Sequence, residues 1–218
     1  MTIAYIVVGV IVVGVIAILI SRYYAQKRTE ELQAVADSMG LSFSAKADDS
    51  FMSAVRHFHL FSQGRSKQAL NVMSGSANDI DVAVFDYQYT TGGGKSSHTW
   101  KQTVVLLRSE MLALPNFTLR PENLFHKIGG ALGYQDIDFD THPTFSREYL
   151  LRSKDEQECR ETFTVDVLGY YDQRPGLSTE GDGDSLLFFR GSKIVRPDDV
   201  PVFLKEGLRV LGLLQADV

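Results

Sequence analysis

Apolar and polar residues part company at residue 20. Between Ile3 and Ile20 lie 18 uncharged positions, twelve of them Val or Ile, with Gly9 and Gly14 among them. As a helix they extend roughly 27 Å at about 1.5 Å per residue, close to a hydrocarbon core of about 30 Å. So many β-branched residues weaken a helix in water, but in lipid an unpaired backbone group costs far more. Tyr5 at one end and Tyr23 and Tyr24 at the other suit the aromatic belts of a bilayer. The pattern predicts a transmembrane anchor over residues 1–21. A cleaved leader fits less well: only Met1 and Thr2 precede the run, and Ser21-Arg22-Tyr23-Tyr24 is too bulky for a cleavage site. A buried soluble helix is also disfavoured, because the run has no polar face to turn to water.

Beyond it the period changes. Leu32, Val35, Ala36 and Met39 fall at i, i+3, i+4 and i+7 before Gly40, which predicts a juxtamembrane helix over 22–39. Strands are expected over 41–45, 67–74, 80–90 and 99–108, the last two joined as a hairpin by the glycine-rich residues 91–97. Asp48, Asp49 or Ser50 caps a helix over 51–59. Residues 147–152 read as a strand, and Ser153 with Glu156 has the capping-box spacing for a helix running to about residue 171. Two short strands, 177–180 and 185–190, flank the turn Gly181-Asp182-Gly183-Asp184. Val200, Phe203, Leu204, Leu208, Leu211 and Leu214 form one stripe of a last helix, from about 198 to 214. Pro121 and Pro197, each followed by an acid, are placed to start helices.

The fold class is therefore α+β: a transmembrane helix followed by a mostly antiparallel sheet with packed helices. The divisions are an anchor at 1–21, a juxtamembrane helix at 22–39 and an α+β domain at 40–218. The order strand–helix–strand–strand occurs twice, from residue 41 and from residue 147. This admits a duplicated β-α-β-β unit, although α+β chains produce such runs often and the first copy is longer.

Charge sharpens the division. All 22 Lys and Arg and all 27 Asp and Glu follow residue 20, so the body carries the net charge of −5. That acidic balance, without a basic stripe, argues against nucleic acid as a partner. Arg22, Lys27 and Arg28 follow the apolar run and no basic side chain precedes it. The positive-inside rule then places the N-terminus outside and the body in the cytoplasm. Cys159 is the only cysteine, so no intramolecular disulfide forms.

Candidate chemistry is thin. Gly94-Lys95-Ser96 resembles the end of a phosphate-binding loop, but Tyr89 stands where the first glycine belongs and a strand follows where a helix is needed. Asp136, Asp138 and Asp140 alternate, with His142 beyond, and an extended chain would put three carboxylates on one face, as a hard cation requires. The same alternation also simply buries Ile137 and Phe139. His57 and His59 share a face only if extended. Cys159, Phe163 and Val167 are spaced as a packed helix face rather than as a nucleophile with its base. No catalytic signature is present, and no cofactor is expected.

Asn71-Val72-Met73-Ser74-Gly75, Val84-Phe85-Asp86-Tyr87, Leu114-Pro115-Asn116-Phe117, Leu119-Arg120-Pro121-Glu122, Asp136-Ile137-Asp138-Phe139 and Phe145-Ser146-Arg147-Glu148-Tyr149 together resemble a widespread uncharacterised bacterial family of single-span, membrane-anchored α+β proteins. The resemblance covers most of residues 28–190. It implies a bacterial inner-membrane setting and no chemistry. The resulting expectation is a non-enzymatic interaction or sensing module at the cytoplasmic face, touching the bilayer between Ile3 and Ile20 and an unknown protein partner. The alternatives are a membrane-tethered metal-dependent hydrolase using Asp136, Asp138, Asp140 and His142, or a domain that binds lipid or a small ligand in an apolar groove.

Overall fold

The computed structural model describes residues 2–122 and 136–215, without the side chains at 2–4, 7, 8, 10 and 95. Helix α1, Thr2–Met39, runs unbroken through the apolar segment and the amphipathic one. The large apolar side chains described between Tyr5 and Ile20 are 49–74 % exposed, whereas Leu32 and Ala36 are fully buried. The helix thus has a bare half and a half packed into the body. Among the described residues no helix is long and apolar enough to cross a membrane. The predicted span begins in residues that lie partly outside the described ones.

Eight strands follow: β1 Ser42–Lys46, β2 Arg65–Ala77, β3 Ile80–Thr91, β4 His98–Arg108, β5 Leu114–Pro121, β6 Tyr149–Ser153, β7 Ser178–Gly183 and β8 Ser185–Phe189. They form one sheet in the order β1-β2-β3-β4-β8-β7-β5-β6, with every neighbouring pair antiparallel. The β3–β4 hairpin registers Thr91 opposite His98 across the glycine loop. In β7–β8 the turn is tighter than expected: Asp182 already pairs with Ser185, and Gly183 takes the positive φ of 58° that a two-residue connection needs. The two β-α-β-β sets do not superpose as adjacent blocks. β1, β2 and β3 are contiguous, but β5 inserts between β6 and β7.

Both faces of the sheet are buried, and strict alternation feeds two cores. Val84, Val105, Leu107, Leu186 and Phe188 face one core with α1, while Ala83, Phe85, Val104, Leu106 and Leu187 face the other. The first core also receives α4 (Pro143–Glu148), α5 (Glu156–Thr162), α6 (Val165–Asp172) and α7 (Val200–Gln215). The second is closed by α2 (Asp49–Val55) and α3 (His59–Ser62), which supply Val55, Leu60 and Phe61. Asp48 is the cap of α2; its carboxylate accepts from the Phe51 amide at 2.8 Å.

Three local expectations change. The helix expected over 51–59 is two, α2 and α3. The one expected from Ser153 to residue 171 is also two, α5 and α6, broken at Phe163. Its cap is Asp155, accepting from the Glu158 amide at 3.0 Å, while the Ser153 hydroxyl accepts from the Asp155 amide instead. Residues 143–148, partly expected as strand, form α4 behind Pro143. The helix expected after Pro121 lies, beyond Glu122, outside the described residues.

Candidate functional site

Where α1 crosses the sheet, its residues 21–29 sit above β2, β3 and β4. Ile80, Val82 and Val84 put β3's even-numbered positions on the α1 face, so Asp86 arrives there too. A carboxylate at a core-facing position needs partners, and it has four donors. Arg28 Nε and Nη2 reach its two oxygens at 2.7 and 2.8 Å. Asn71 Nδ2 donates at 3.0 Å and Thr103 Oγ1 at 2.9 Å. Asn71 gets there because β2 bulges between Leu70 and Met73, with Asn71 itself at φ 53°. It also accepts from Thr29 Oγ1 of α1 at 2.8 Å. Thr103 accepts in turn from the Val195 amide at 3.0 Å, tying in the segment after β8. The result is a polar bolt that fixes the angle and register of α1 on the sheet.

Beside the bolt the helix stands off the sheet and leaves an open groove of about 550 Å³. Tyr24 and Arg28 form its roof, Leu70, Gln88 and Lys101 its floor, and Ile194 one wall. Its size is that of an ordinary small-ligand site. Arg28 and Asp86 neutralise one another. Lys101 is exposed and has no ion pair among the described residues. The groove therefore carries a net charge of about +1. A larger hollow, about 790 Å³, lies between the β2–β3 turn and residues 108–111, but Asp79, Asp81, Glu110 and Asp184 give it an acidic wall.

A second polar cluster lies under the α2–α3 layer. Glu180, 1 % exposed, receives the Leu60 amide at 3.1 Å and Arg120 Nη2 at 3.1 Å. Burial pushes its carboxyl up, against the pull of Arg120. Burial likewise pulls Arg120 down, against the pull of Glu180. Tyr89 is pushed up to about 12 by burial and by Glu180. The neighbouring Tyr87 hydroxyl is buried without a partner. The Leu60–Glu180 hydrogen bond ties α3 to β7.

The residues singled out from sequence are not assembled into a site. Asp136 turns its carboxylate back onto the Leu151 amide at 3.0 Å, and the backbone of Asp138 binds Arg160. Burial raises the Asp136 carboxyl. The His142 ring contacts Thr141 at 3.1 Å. Ile137 is buried between exposed Asp136 and Asp138, the packing arrangement rather than the chelating one. Among the described residues no group of three or more His, Cys, Asp or Glu is placed to hold a metal. His57 lies 3.8 Å from Asp182, while His59 opens α3. Cys159 is fully buried with Phe163 and Val167, and burial pushes its thiol up to about 12. The glycine loop is the turn of a hairpin.

Neither the bolt nor the groove is marked by a motif in the sequence. In the sequence Arg28 reads as a charge flanking the apolar run, and Asp86 stands only within the strand expected over 80–90 and the Val84-Phe85-Asp86-Tyr87 stretch. The available signal was an acid continuing the series Ile80, Val82, Val84.

No family model and no curated protein matches the chain. Among solved structures, the crystal structure of the mycobacterial trehalose monomycolate transport factor A, TtfA, is similar in fold. It aligns with a TM-score of 0.60 at 14 % identity, covering 86 % of this chain and 92 % of that one. At that identity the likeness is one of architecture, and it takes in nearly the whole α+β arrangement.

Proposed function

We propose that the protein is a membrane-anchored, non-enzymatic accessory factor with a lipid-related role, its body held against the cytoplasmic face of the inner membrane. The observation that carries the reading is the continuity of α1. Its bare apolar half and its packed half are one helix, bolted to the sheet through Arg28 and Asp86. A helix surface apolar on all sides is covered by lipid or by other protein. Arg22, Lys27 and Arg28, which follow the apolar run with no basic residue before it, support a body on the inner side. The lipid-related role is supported by the fold shared with a trehalose monomycolate transport factor. The groove supports the related reading that the body itself holds a lipid.

The reading is tested in cells lacking the protein, with envelope lipids labelled metabolically. Accumulation of a lipid precursor, reversed by the full chain but not by one starting at residue 22, is the expected result. An unchanged lipid profile overturns the lipid-related role. A reporter fused after Val218 that is active only outside the cytoplasm overturns the orientation.

A further inference from the structure

We propose that the groove beneath α1 takes the headgroup of one anionic glycerophospholipid from the adjoining leaflet, with Lys101 as the phosphate ligand. The inference rests on the membrane-anchored reading above.

Position comes first. Ser21, which lines the groove, directly follows Ile20, the last residue of the apolar run. Tyr24 is four residues on, about 6 Å along the helix axis. A headgroup layer is roughly 5–8 Å thick on each side of the hydrocarbon core. If the apolar run ends with the hydrocarbon, the Ser21–Tyr24 end of the groove opens within the headgroup layer. Arg28, about 12 Å from Ile20, closes its far end just beyond that layer. A lipid enters by moving sideways, without leaving the membrane.

Chemistry selects the occupant. Within a lining that is otherwise largely apolar, Gln88 and Lys101 face each other across β3 and β4, beside Asp86, and form one polar patch. An acyl chain laid over that patch would strip Gln88 and Lys101 of water, whereas it can lie against the apolar lining beside it. The patch suits a phosphodiester. Asp86 is already saturated by Arg28, Asn71 and Thr103, so it presents little free negative charge. Lys101 supplies the uncompensated positive one. A net charge near +1 matches a phosphatidylglycerol-type headgroup and leaves a zwitterionic lipid, whose ammonium would meet Lys101, at a disadvantage. Leu70, Ile194 and the ring of Tyr24 provide apolar walls for the glycerol ester region.

The experiment uses the full chain reconstituted in nanodiscs made of equal parts phosphatidylglycerol and phosphatidylcholine. After transfer to a mild detergent, native mass spectrometry reads which lipid stays bound. The expected result is a single retained phosphatidylglycerol, at least tenfold over phosphatidylcholine, that excess inorganic phosphate does not displace. Lys101→Glu is expected to lower retention at least tenfold and Lys101→Arg to preserve it. Lys205→Glu, an equal charge change on the distant α7, is expected to leave retention unchanged. Because Lys101 is exposed, each variant is first matched to the wild type in thermal melting. Equal retention of the two lipids overturns the proposal, as does retention indifferent to Lys101→Glu. Displacement by inorganic phosphate overturns it in favour of a free-anion site. A chain that an alkaline carbonate wash strips from native membranes overturns the anchorage itself. A chain that stays embedded but holds no lipid selectively overturns this proposal alone.

Discussion

Arg28 clasps both carboxylate oxygens of Asp86, at 2.7 and 2.8 Å, across 58 residues of chain. Asp86→Ala removes the acceptor of four hydrogen bonds and leaves the guanidinium and the Asn71 amide unpaired at a part-buried site. Breaking a fully buried pair costs about 3–5 kcal/mol; with the Arg28 and Asp86 side chains 21 % and 11 % exposed, a loss of about 2–3 kcal/mol is expected. Urea unfolding of the full chain in detergent checks it. The double variant Arg28→Met, Asp86→Leu is expected to recover only the part due to the stranded guanidinium, because Asn71 and Thr103 still lack their acceptor.

The packed half of α1 is part of the body's core. Leu32 is 1 % exposed and Ala36 is fully buried against it. Leu32→Ala is expected to lower stability by about 3 kcal/mol. A chain starting at residue 22 is expected to fold, whereas one starting at residue 40 exposes that core and fails to give a cooperative melt. A sharp melt from residues 40–218 alone would show that α1 only leans on the sheet.

Glu180 predicts an unusual pH response. Burial raises its folded-state value above its ordinary 4.5, although Arg120 pulls the other way. A raised folded value means that the folded protein holds the proton more tightly. The stabilisation is then fully present below about pH 4.5 and lost as pH rises through the folded value. Relative to Glu180→Gln, the wild type is therefore expected to lose stability as pH rises above about 4.5. An ordinary surface-paired carboxylate does the reverse. Glu180→Ala, which strands buried Arg120, is expected to cost about 3–5 kcal/mol at neutral pH. Denaturant titrations at several pH values read both effects.

Gly181 lies in β7 opposite the ring of Phe117, and a Cβ there would overlap that ring, with Cδ1 only 2.9 Å away. Phe117 cannot retreat freely, because it packs edge-on against Phe163 with centroids 5.0 Å apart. Gly181→Ala is expected to destabilise by about 1–3 kcal/mol through overpacking. The companion variant Phe117→Leu, Gly181→Ala is expected to restore part of the loss in thermal melting.

Much of the sheet was legible because alternation and turn chemistry are local. The strands expected over 80–90 and 99–108, joined by the glycine-rich residues 91–97, match β3, β4 and their hairpin within a residue or two. β5 was not read as a strand. It pairs on both sides, with β6 and β7, yet carries Pro115 and Pro121, residues that argue against a central strand. Pro115 is tolerated because it falls where the β5–β7 register shifts between Leu114 and Phe117, outside the β6 pairing, and Pro121 is the last residue. The break between α5 and α6 was hidden for the opposite reason. Cys159, Phe163 and Val167 face the same core on both sides of it, so the apolar period continues through the kink. The groove depends on the distance between α1 and the sheet, which the Asn71 bulge and the Arg28 clasp set together, and no single stretch of sequence encodes that distance.

An unbroken α1 makes the body's heading a matter of helical phase. One residue inserted between Ile20 and Ser21 would swing the body through about 100° about the helix axis and raise it about 1.5 Å. Seven inserted residues would bring it back to within about 20° of its first heading, roughly 10 Å further from the apolar segment. A partner that meets the body from one side should tolerate the second insertion in facing but not in height, and the first in height but not in facing. Paired insertions of this kind act as a protractor and a ruler on whatever the body meets.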